Sequence, residues 1–174
     1  LIDGNFTVAV GATLNIASNI PLRVNRGITF TVSGAANFAQ NSSLTLDNSG
    51  NWTTVAVING TVTATGAIFT DNSTGGTSRI TVTNGGRLIA SDSTFSMDEL
   101  RLNDGAVLNS GDWAGNRFLF AEWRVAALIR NMSLAGGGAD NKQFQDINIV
   151  AGTLASGVLN LLPIGTVTTA NLRY

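Results

Sequence analysis

Carboxylates are the side chains of this chain whose spacing is most suggestive of chemistry. Among its 11 acidic residues, Asp92 follows Asp71 by 21 positions and Asp112 follows Asp92 by 20. If the chain repeats at that interval, the three side chains form a column. Such a column could bind calcium, which prefers oxygen ligands, or supply an acid and a base. Asp is also a common turn residue. We therefore assign no catalytic or metal-binding residue and keep Asp71, Asp92 and Asp112 as candidates.

Two residue types that carry much enzyme chemistry are missing from the chain. It contains no histidine and no cysteine, which removes disulfides, thiol-ligated metals and the Ser-His-Asp and Cys-His catalytic sets. The phosphate-binding pattern G-x-x-x-x-G-K-[ST] is also absent from the sequence. We predict that the protein is not an enzyme and has no cofactor, with calcium as the one ion to test.

The charge and hydropathy of the chain limit the classes of partner that it is expected to bind. The net charge is −1 and charged residues make up 12% of the chain, so there is no basic field for nucleic acid. No run of 18 apolar residues occurs, which argues against membrane insertion. The length of 174 residues suits one domain. Since the first residue is Leu1, we expect a processed form or an excised piece of a longer chain.

An imperfect repeat runs along the sequence. Its unit is a turn glycine, one or two small residues and then an apolar residue, between short strand-like segments. The turn glycines are Gly11, Gly34, Gly60, Gly85, Gly105 and Gly152, with gaps of 23, 26, 25, 20 and 47. The last gap is about twice the others, so the chain is predicted to hold about seven units. Abundant Thr, Val, Asn, Gly and Ser favour strands and turns.

Two architectures fit this pattern. In a parallel β-solenoid each unit is one coil stacked on the last. In an antiparallel meander or sandwich, Asn84-Gly85-Gly86 is a hairpin loop that places Val82 opposite Leu88. The near-constant step favours the solenoid, as do the small residues after each turn, because stacked backbones lie only ~4.8 Å apart. We predict an all-β fold in which residues 1–174 form a single-domain parallel β-solenoid of about seven coils.

The segment 112–146 departs from the repeat and is predicted to be irregular. Its first part, Asp112–Asn131, holds two of the three tryptophans. The apolar residues there fit helical spacing, with Asn116 as an N-cap, but Phe118 and Phe120 also alternate. We favour strands over a helix.

Two stretches carry a resemblance to a known group of proteins. Val10-Gly11-Ala12-Thr13-Leu14 and Thr31-Val32-Ser33-Gly34-Ala35 resemble the opening coils of right-handed parallel β-helix repeat proteins. That group includes pectin-lyase-like folds and filamentous-haemagglutinin-like surface proteins, and the resemblance covers the first 110 residues. It implies a β-helix, a fold that hosts both enzymes and passive surface proteins. Pectin-lyase-like enzymes use stacked acids for calcium or as acid and base, the role that the resemblance would give to the aspartate column.

The favoured functional hypothesis is an extracellular or cell-surface structural or adhesive module. The residues near the two ends, Leu1, Ile2, Leu161, Leu172 and Tyr174, are apolar and strand-forming, whereas solenoid caps carry a polar outer face. Open ends present unpaired backbone groups. We therefore expect self-association end to end into a fibre, or contact with neighbouring coils of a longer chain.

Alternative hypotheses name other surfaces. A polysaccharide-binding module would use Trp113 and Trp123 as a stacking surface, and a polysaccharide-cleaving enzyme would use the acids. Ice binding would use the pairs Thr29-x-Thr31, Thr63-x-Thr65 and Thr81-x-Thr83. Six Asn-X-Ser/Thr sequons are candidate glycosylation sites in a secretory context, at Asn5, Asn41, Asn51, Asn59, Asn72 and Asn131.

Overall fold

The structure is a computed structural model that describes residues 1–72, 75–109, 111–119, 122–126 and 147–151. Within these residues the chain forms 17 β-strands and one short 3-10 helix, Ser49–Asn51. The strands belong to three parallel sheets, and the chain visits the sheets in a fixed order. An all-β fold is therefore confirmed.

Sheet 1 has seven strands, and their order across the sheet is the same as their order along the chain. They are β1 (Phe6–Val8), β4 (Thr29–Val32), β7 (Thr53–Ile58), β10 (Thr77–Val82), β13 (Glu99–Leu102), β16 (Glu122–Ala126) and β17 (Ile147–Val150).

Sheets 2 and 3 have five strands each. Sheet 2 contains β2 (Thr13–Ile16), β5 (Ala35–Phe38), β8 (Thr61–Thr65), β11 (Arg87–Ser91) and β14 (Trp113–Ala114). Sheet 3 contains β3 (Pro21–Val24), β6 (Ser43–Leu46), β9 (Ile68–Asp71), β12 (Thr94–Ser96) and β15 (Arg117–Leu119).

Three consecutive strands, one from each sheet, make one coil of a parallel β-solenoid. The described residues contain five complete coils rather than the predicted seven, and sheet 1 continues for two more strands, β16 and β17. The hairpin alternative is wrong. Val82 ends β10 in sheet 1, whereas Leu88 lies in β11 of sheet 2. Asn84-Gly85-Gly86 turns a corner between two sheets instead of reversing the chain, with Gly85 at φ +76°.

Alternation along each strand builds a single core. In sheet 1, Phe30, Ala56, Ile80 and Leu100 pair in register on successive coils, and each is at most 3% exposed. Their neighbours along the strands face outward, because successive strand side chains point to opposite faces. The interior is therefore a set of apolar columns that run along the solenoid axis.

Aromatic rings form the best-ordered column of the core. Phe69, Phe95 and Phe118 pair in register on three coils of sheet 3. The ring centroids of Phe69 and Phe95 lie 4.7 Å apart with planes 4° from parallel, and those of Phe95 and Phe118 lie 5.0 Å apart at 9°. These separations match the ~4.8 Å distance between stacked strands. Trp113 of sheet 2 packs beside this column, with its ring centroid 5.5 Å from that of Phe118.

Glycine is required where corners stack most closely. A Cβ on Gly34 would overlap the carbonyl oxygens of Ala9 and Ala12, and a Cβ on Gly60 would overlap the carbonyl oxygen of Gly34. The N–H of Gly60 donates to the carbonyl of Val32 at 2.8 Å. The sequence argument for small residues after the turns therefore has its physical basis here.

The predicted irregular segment begins with strands. The described part of 112–146 contains β14, β15 and β16, all of which continue the three sheets. Asn116 caps no helix. Its buried amide accepts the N–H of Ser93 at 2.9 Å and donates to the carbonyl of Ala90 at 2.9 Å, so it ties two coils together. The remainder of the segment lies outside the described residues.

The aromatic column predicts where the fold is most sensitive. Replacing Phe95 with Ala removes a fully buried ring from between two stacked rings and leaves a cavity. We expect the free energy of unfolding in urea to fall by about 3–5 kcal/mol. Phe6→Ala is the control, because Phe6 is 44% exposed. Equal losses for the two variants would contradict the packing described here.

Candidate functional site

The three candidate aspartates do not form a column. Asp71 ends β9 in sheet 3 and pairs in register with Leu46. Asp92 lies in the turn after β11 with φ +49°, and Asp112 immediately precedes β14 in sheet 2. The column prediction is wrong because coil lengths vary. Phe30 pairs with Ala56, an offset of 26, whereas Ile80 pairs with Leu100, an offset of 20.

Asp112 has a structural partner that accounts for its burial. Its carboxylate accepts two hydrogen bonds from the Arg87 guanidinium, at 3.0 and 2.5 Å, and one from the N–H of Asn109 at 2.8 Å. Asp112 is 3% exposed, and its hydrogen bonds raise the pKa of Arg87. The pair fixes the entry into β14 and leaves the carboxylate little access to a substrate.

A different set of acids lies at the corner where sheet 3 leads into sheet 1. Asp47 follows β6, Asp71 ends β9 and Asp98 precedes β13, so they occupy this corner on three successive coils. The sequence pointed to Asp92 instead of Asp98, because the interval from Asp71 to Asp92 is closer to the mean repeat. The longer interval to Asp98 is a full coil with its turns included.

Two of these acids share one hydroxyl group. Ser78 Oγ lies 2.5 Å from Asp71 Oδ2 and 3.1 Å from Asp98 Oδ2. Asp98 Oδ2 also accepts the N–H of Ser78 at 2.7 Å and the Asn48 side-chain amide at 3.0 Å. Two carboxylates around a serine are the raw material of acid–base chemistry. However, Ser78 is 0% exposed, so its hydroxyl is not accessible to a substrate and the cluster holds the corner together.

The third acid of this corner, Asp47, is paired with a cation. Asp47 accepts hydrogen bonds from the Arg23 guanidinium and from the N–H of Ser49, the latter at 3.0 Å. The Arg23 guanidinium, followed by Ser49, holds the pKa of Asp47 well below its usual range. Asp47 is 3% exposed, so the pair stabilises a buried charge. Within the described residues, no group of three or more Asp or Glu side chains converges to hold a metal ion.

A charged network lies on the outer face of sheet 1. Glu99 accepts Nε–H of Arg79 at 2.5 Å and Nε–H of Arg101 at 2.7 Å. Glu99 is 4% exposed even though its strand position faces outward, because the two arginines cover it. This side of the solenoid is therefore a closed ion-pair surface at the fourth and fifth coils.

The three tryptophans have different environments. Trp113 is 1% exposed and its indole N–H donates to the carbonyl of Leu88 at 2.9 Å. The prediction that it offers a stacking face is therefore wrong, because the ring fills the core. Trp123 lies in β16 in register with Leu100, and its side chain lies outside the described residues. Trp52, which the sequence did not single out, is 54% exposed.

Asparagines of the sequons lie at exposed corners. Asn5, Asn41, Asn51, Asn59 and Asn72 are all exposed and lie outside the strands. Two of them hold the corner by accepting hydrogen bonds: Asn5 from the N–H of Thr29 at 2.9 Å and Asn59 from the Thr83 hydroxyl at 2.5 Å. Asn131 lies outside the described residues. Glycosylation stays a prediction.

The threonine pairs do not form one array. Thr29 and Thr31 lie in sheet 1, whereas Thr63 and Thr65 lie in sheet 2. Within sheet 1, Val57 separates Thr31 from Thr81 in the register. A continuous hydroxyl surface is therefore interrupted at the third coil.

One end of the solenoid can be described. Leu1 is 77% exposed, but Ile2 bridges to Val24 of β3, with its N–H donating to the carbonyl of Arg23 at 2.7 Å. Ile2 therefore extends sheet 3 by one bridge at this edge, and its part in assembly stays a prediction. Leu161, Leu172 and Tyr174 lie outside the described residues.

Comparisons with known proteins add no family to this picture. Protein-family models, curated proteins and solved structures were compared with the chain, and none matches it. Among the described residues, none forms a helix long and apolar enough to span a membrane. The architecture of the chain is thus established as a parallel β-solenoid without a family assignment.

The Arg23–Asp47 pair predicts a pH-dependent contribution to stability. Because the folded pKa of Asp47 is lowered, its stabilisation is fully present above the unfolded pKa of ~3.9 and is lost as the pH falls toward the folded value. We expect Asp47→Asn to lower the free energy of unfolding at pH 7. The difference from wild type should shrink between about pH 5 and pH 2.

Urea denaturation at a series of pH values measures this difference. Asp104→Asn is the control, because Asp104 is an exposed turn residue for which we expect little effect at any pH. A difference between wild type and Asp47→Asn that stays constant with pH would contradict the assignment.

Proposed function

We propose that the chain is an extracellular structural or adhesive β-solenoid module, comparable in role to the β-helix surface proteins that its sequence resembles. In this proposal it joins end to end into a fibre or adjoins neighbouring coils of a longer surface protein. The observation that carries the proposal is the open face of the first coil, formed by β1, β2 and β3.

Three inward-pointing side chains of the first coil are covered less completely than their partners on the second coil. Phe6 is 44% exposed, whereas Phe30, its register partner on the next coil, is 1% exposed. Leu14 and Leu22 are only partly buried, whereas their partners Ala36 and Leu44 are buried. Covering this face would remove apolar surface from water, which favours association.

The strand edges at the same end are suited to pairing with a further layer of strands. Within the described residues, β1 and β2 end their sheets and pair on one side only. Natural edge strands are protected by charges, proline or a covering segment. β3 has such protection, because it begins with Pro21 and Ile2 crosses its edge, but β1 and β2 contain no charged residue. These two edges are suited to pair with another strand.

A non-catalytic role is part of the proposal. The acids that could have formed a catalytic column lie at three different positions, and the described acid cluster encloses a buried serine. Ice binding gains no support from the interrupted threonine surface. Binding of a polysaccharide without cleavage is the alternative that a specific observation favours, the exposed indole of Trp52.

End-to-end assembly predicts a position-dependent effect of a single charge. Phe6→Asp places a carboxylate on the open face, where a covering layer would bury it without a partner at a cost of several kcal/mol. We expect wild type to form concentration-dependent oligomers in sedimentation velocity, with an association constant at least about tenfold higher than that of Phe6→Asp.

Ile68→Asp is the matched control. Ile68 is 43% exposed, close to the 44% of Phe6, but it lies on the outer face of the third coil. Ile68→Asp should therefore assemble like wild type. Wild-type protein that remains monomeric at high concentration, with rapid amide exchange in β1 and β2, would contradict self-assembly.

A further inference from the structure

Trp52 is a large aromatic side chain left exposed on a rigid part of the solenoid. It directly follows the 3-10 helix Ser49–Asn51 and precedes β7, at the corner between sheets 3 and 1. The residue is 54% exposed, although its backbone is fixed, since its carbonyl accepts the N–H of Thr77 on the next coil at 3.0 Å. An exposed indole on a fixed backbone is suited to binding a ligand with little loss of conformational freedom.

Two glycines hold the indole in place. A Cβ on Gly27, one coil below, would lie 2.7 Å from Cε3 of Trp52, so the six-membered ring packs directly over that glycine. A Cβ on Gly50 would lie 3.7 Å from Cδ1 and 4.0 Å from Nε1 of Trp52. The ring therefore lies against bare backbone, and the rest of its surface faces solvent.

The Arg26 guanidinium also approaches Gly50. Its Nη1 atom lies 3.9 Å from the position of a Gly50 Cβ, which itself lies 4.0 Å from Nε1 of Trp52, so both nitrogens lie around Gly50. Four other arginines, Arg23, Arg79, Arg87 and Arg101, form ion pairs. Within the described residues Arg26 pairs with no carboxylate. The Trp52 indole and the Arg26 guanidinium thus share the corner at Gly50, and both carry N–H donors.

We propose that Trp52 and Arg26 form a binding site for a glycan whose sugar rings carry an anionic group, a carboxylate or a sulfate. The apolar C–H face of a sugar ring packs on the indole, which combines an apolar body with a polar N–H. The anionic group accepts hydrogen bonds from Arg26, the residue suited to bidentate recognition of such groups.

The surroundings favour a glycan over an acidic peptide or a second copy of the chain. Asn25, directly before Arg26, offers its side-chain NH2 group for sugar hydroxyls, since its Oδ1 accepts the N–H of Arg26 at 3.1 Å. The exposed apolar surface at this corner is a single ring and not a broad patch of the kind that protein partners bury. The site lies on the side of the solenoid, where Arg26 belongs to the corner between the first and second coils and Trp52 to the corner between the second and third.

Isothermal titration calorimetry on the full chain tests the site with four probes. Polygalacturonate supplies carboxylates, dextran sulfate supplies sulfates, dextran is neutral, and poly-glutamate is acidic without sugar rings. We expect at least one anionic glycan to bind more tightly than dextran and poly-glutamate, with binding weakened by salt. Trp52→Ala should lower its affinity about tenfold and Arg26→Gln at least about threefold, whereas Arg26→Lys should retain part of the binding.

Matched controls separate the site from general effects. Ile20→Ala removes another exposed apolar side chain, 51% exposed, and Arg117→Gln removes another exposed arginine, on the fifth coil. Neither should change the affinity. Arg26→Gln leaves the indole and its packing intact, so it tests the site even if Trp52→Ala is destabilised.

Three outcomes would overturn the proposal. They are the absence of anionic-glycan binding at millimolar concentration, an affinity for poly-glutamate equal to that for the glycan, and losses in the Trp52 and Arg26 variants no larger than those in the controls. None of these results depends on whether the protein assembles end to end, so the two proposals fail separately.

Discussion

Parallel hydrogen bonding between successive coils fixes the spacing of every layer in this molecule at ~4.8 Å. The aromatic column depends on it, because rings at matching register positions are brought to the 4.7 and 5.0 Å separations that are observed. The glycine corners depend on it as well, because backbone this close leaves no room for a Cβ at Gly34 or Gly60. The same bonds create the open end, since a stack of parallel strands always leaves a first and a last layer unpaired.

The sequence could predict the fold because the repeat is carried by backbone geometry. A glycine is needed where corners stack most closely, as at Gly34 and Gly60, and an apolar residue must alternate inward, so both signals recur whatever the outer residues are. The hairpin alternative failed at Asn84-Gly85-Gly86 because a corner and a hairpin use the same turn residues. The choice between them is made by Arg87, whose N–H donates to the carbonyl of Gly60 on the previous coil, a contact that no local pattern reveals.

Candidate site residues were harder to predict, because side chains form a column only when their residues occupy matching register positions on successive coils. Coils differ by as many as six residues in their register offsets, so Asp92 matches the mean interval, whereas Asp98 is the acid that lies at the same corner as Asp71. Trp113 was misplaced for a related reason. A bulky residue in a region of weak repeat looked like a surface feature, but its indole packs in the core beside Phe118 on the same coil. Its exposed counterpart, Trp52, has no sequence feature that distinguishes it from a core residue.

The same spacing determines which positions of the solenoid can carry a functional side chain. Inward positions are committed to the core, and an outward acid such as Glu99 is enclosed by neighbouring arginines one coil or one pleat away. Corners are different, because a side chain there can pack over the backbone of a neighbouring corner without entering the core. A large side chain packed in this way, as Trp52 lies over Gly27, is held rigidly without displacing any core residue. A ligand-binding group at a corner therefore costs the fold little, whereas the same group within a strand would have to replace a member of a column.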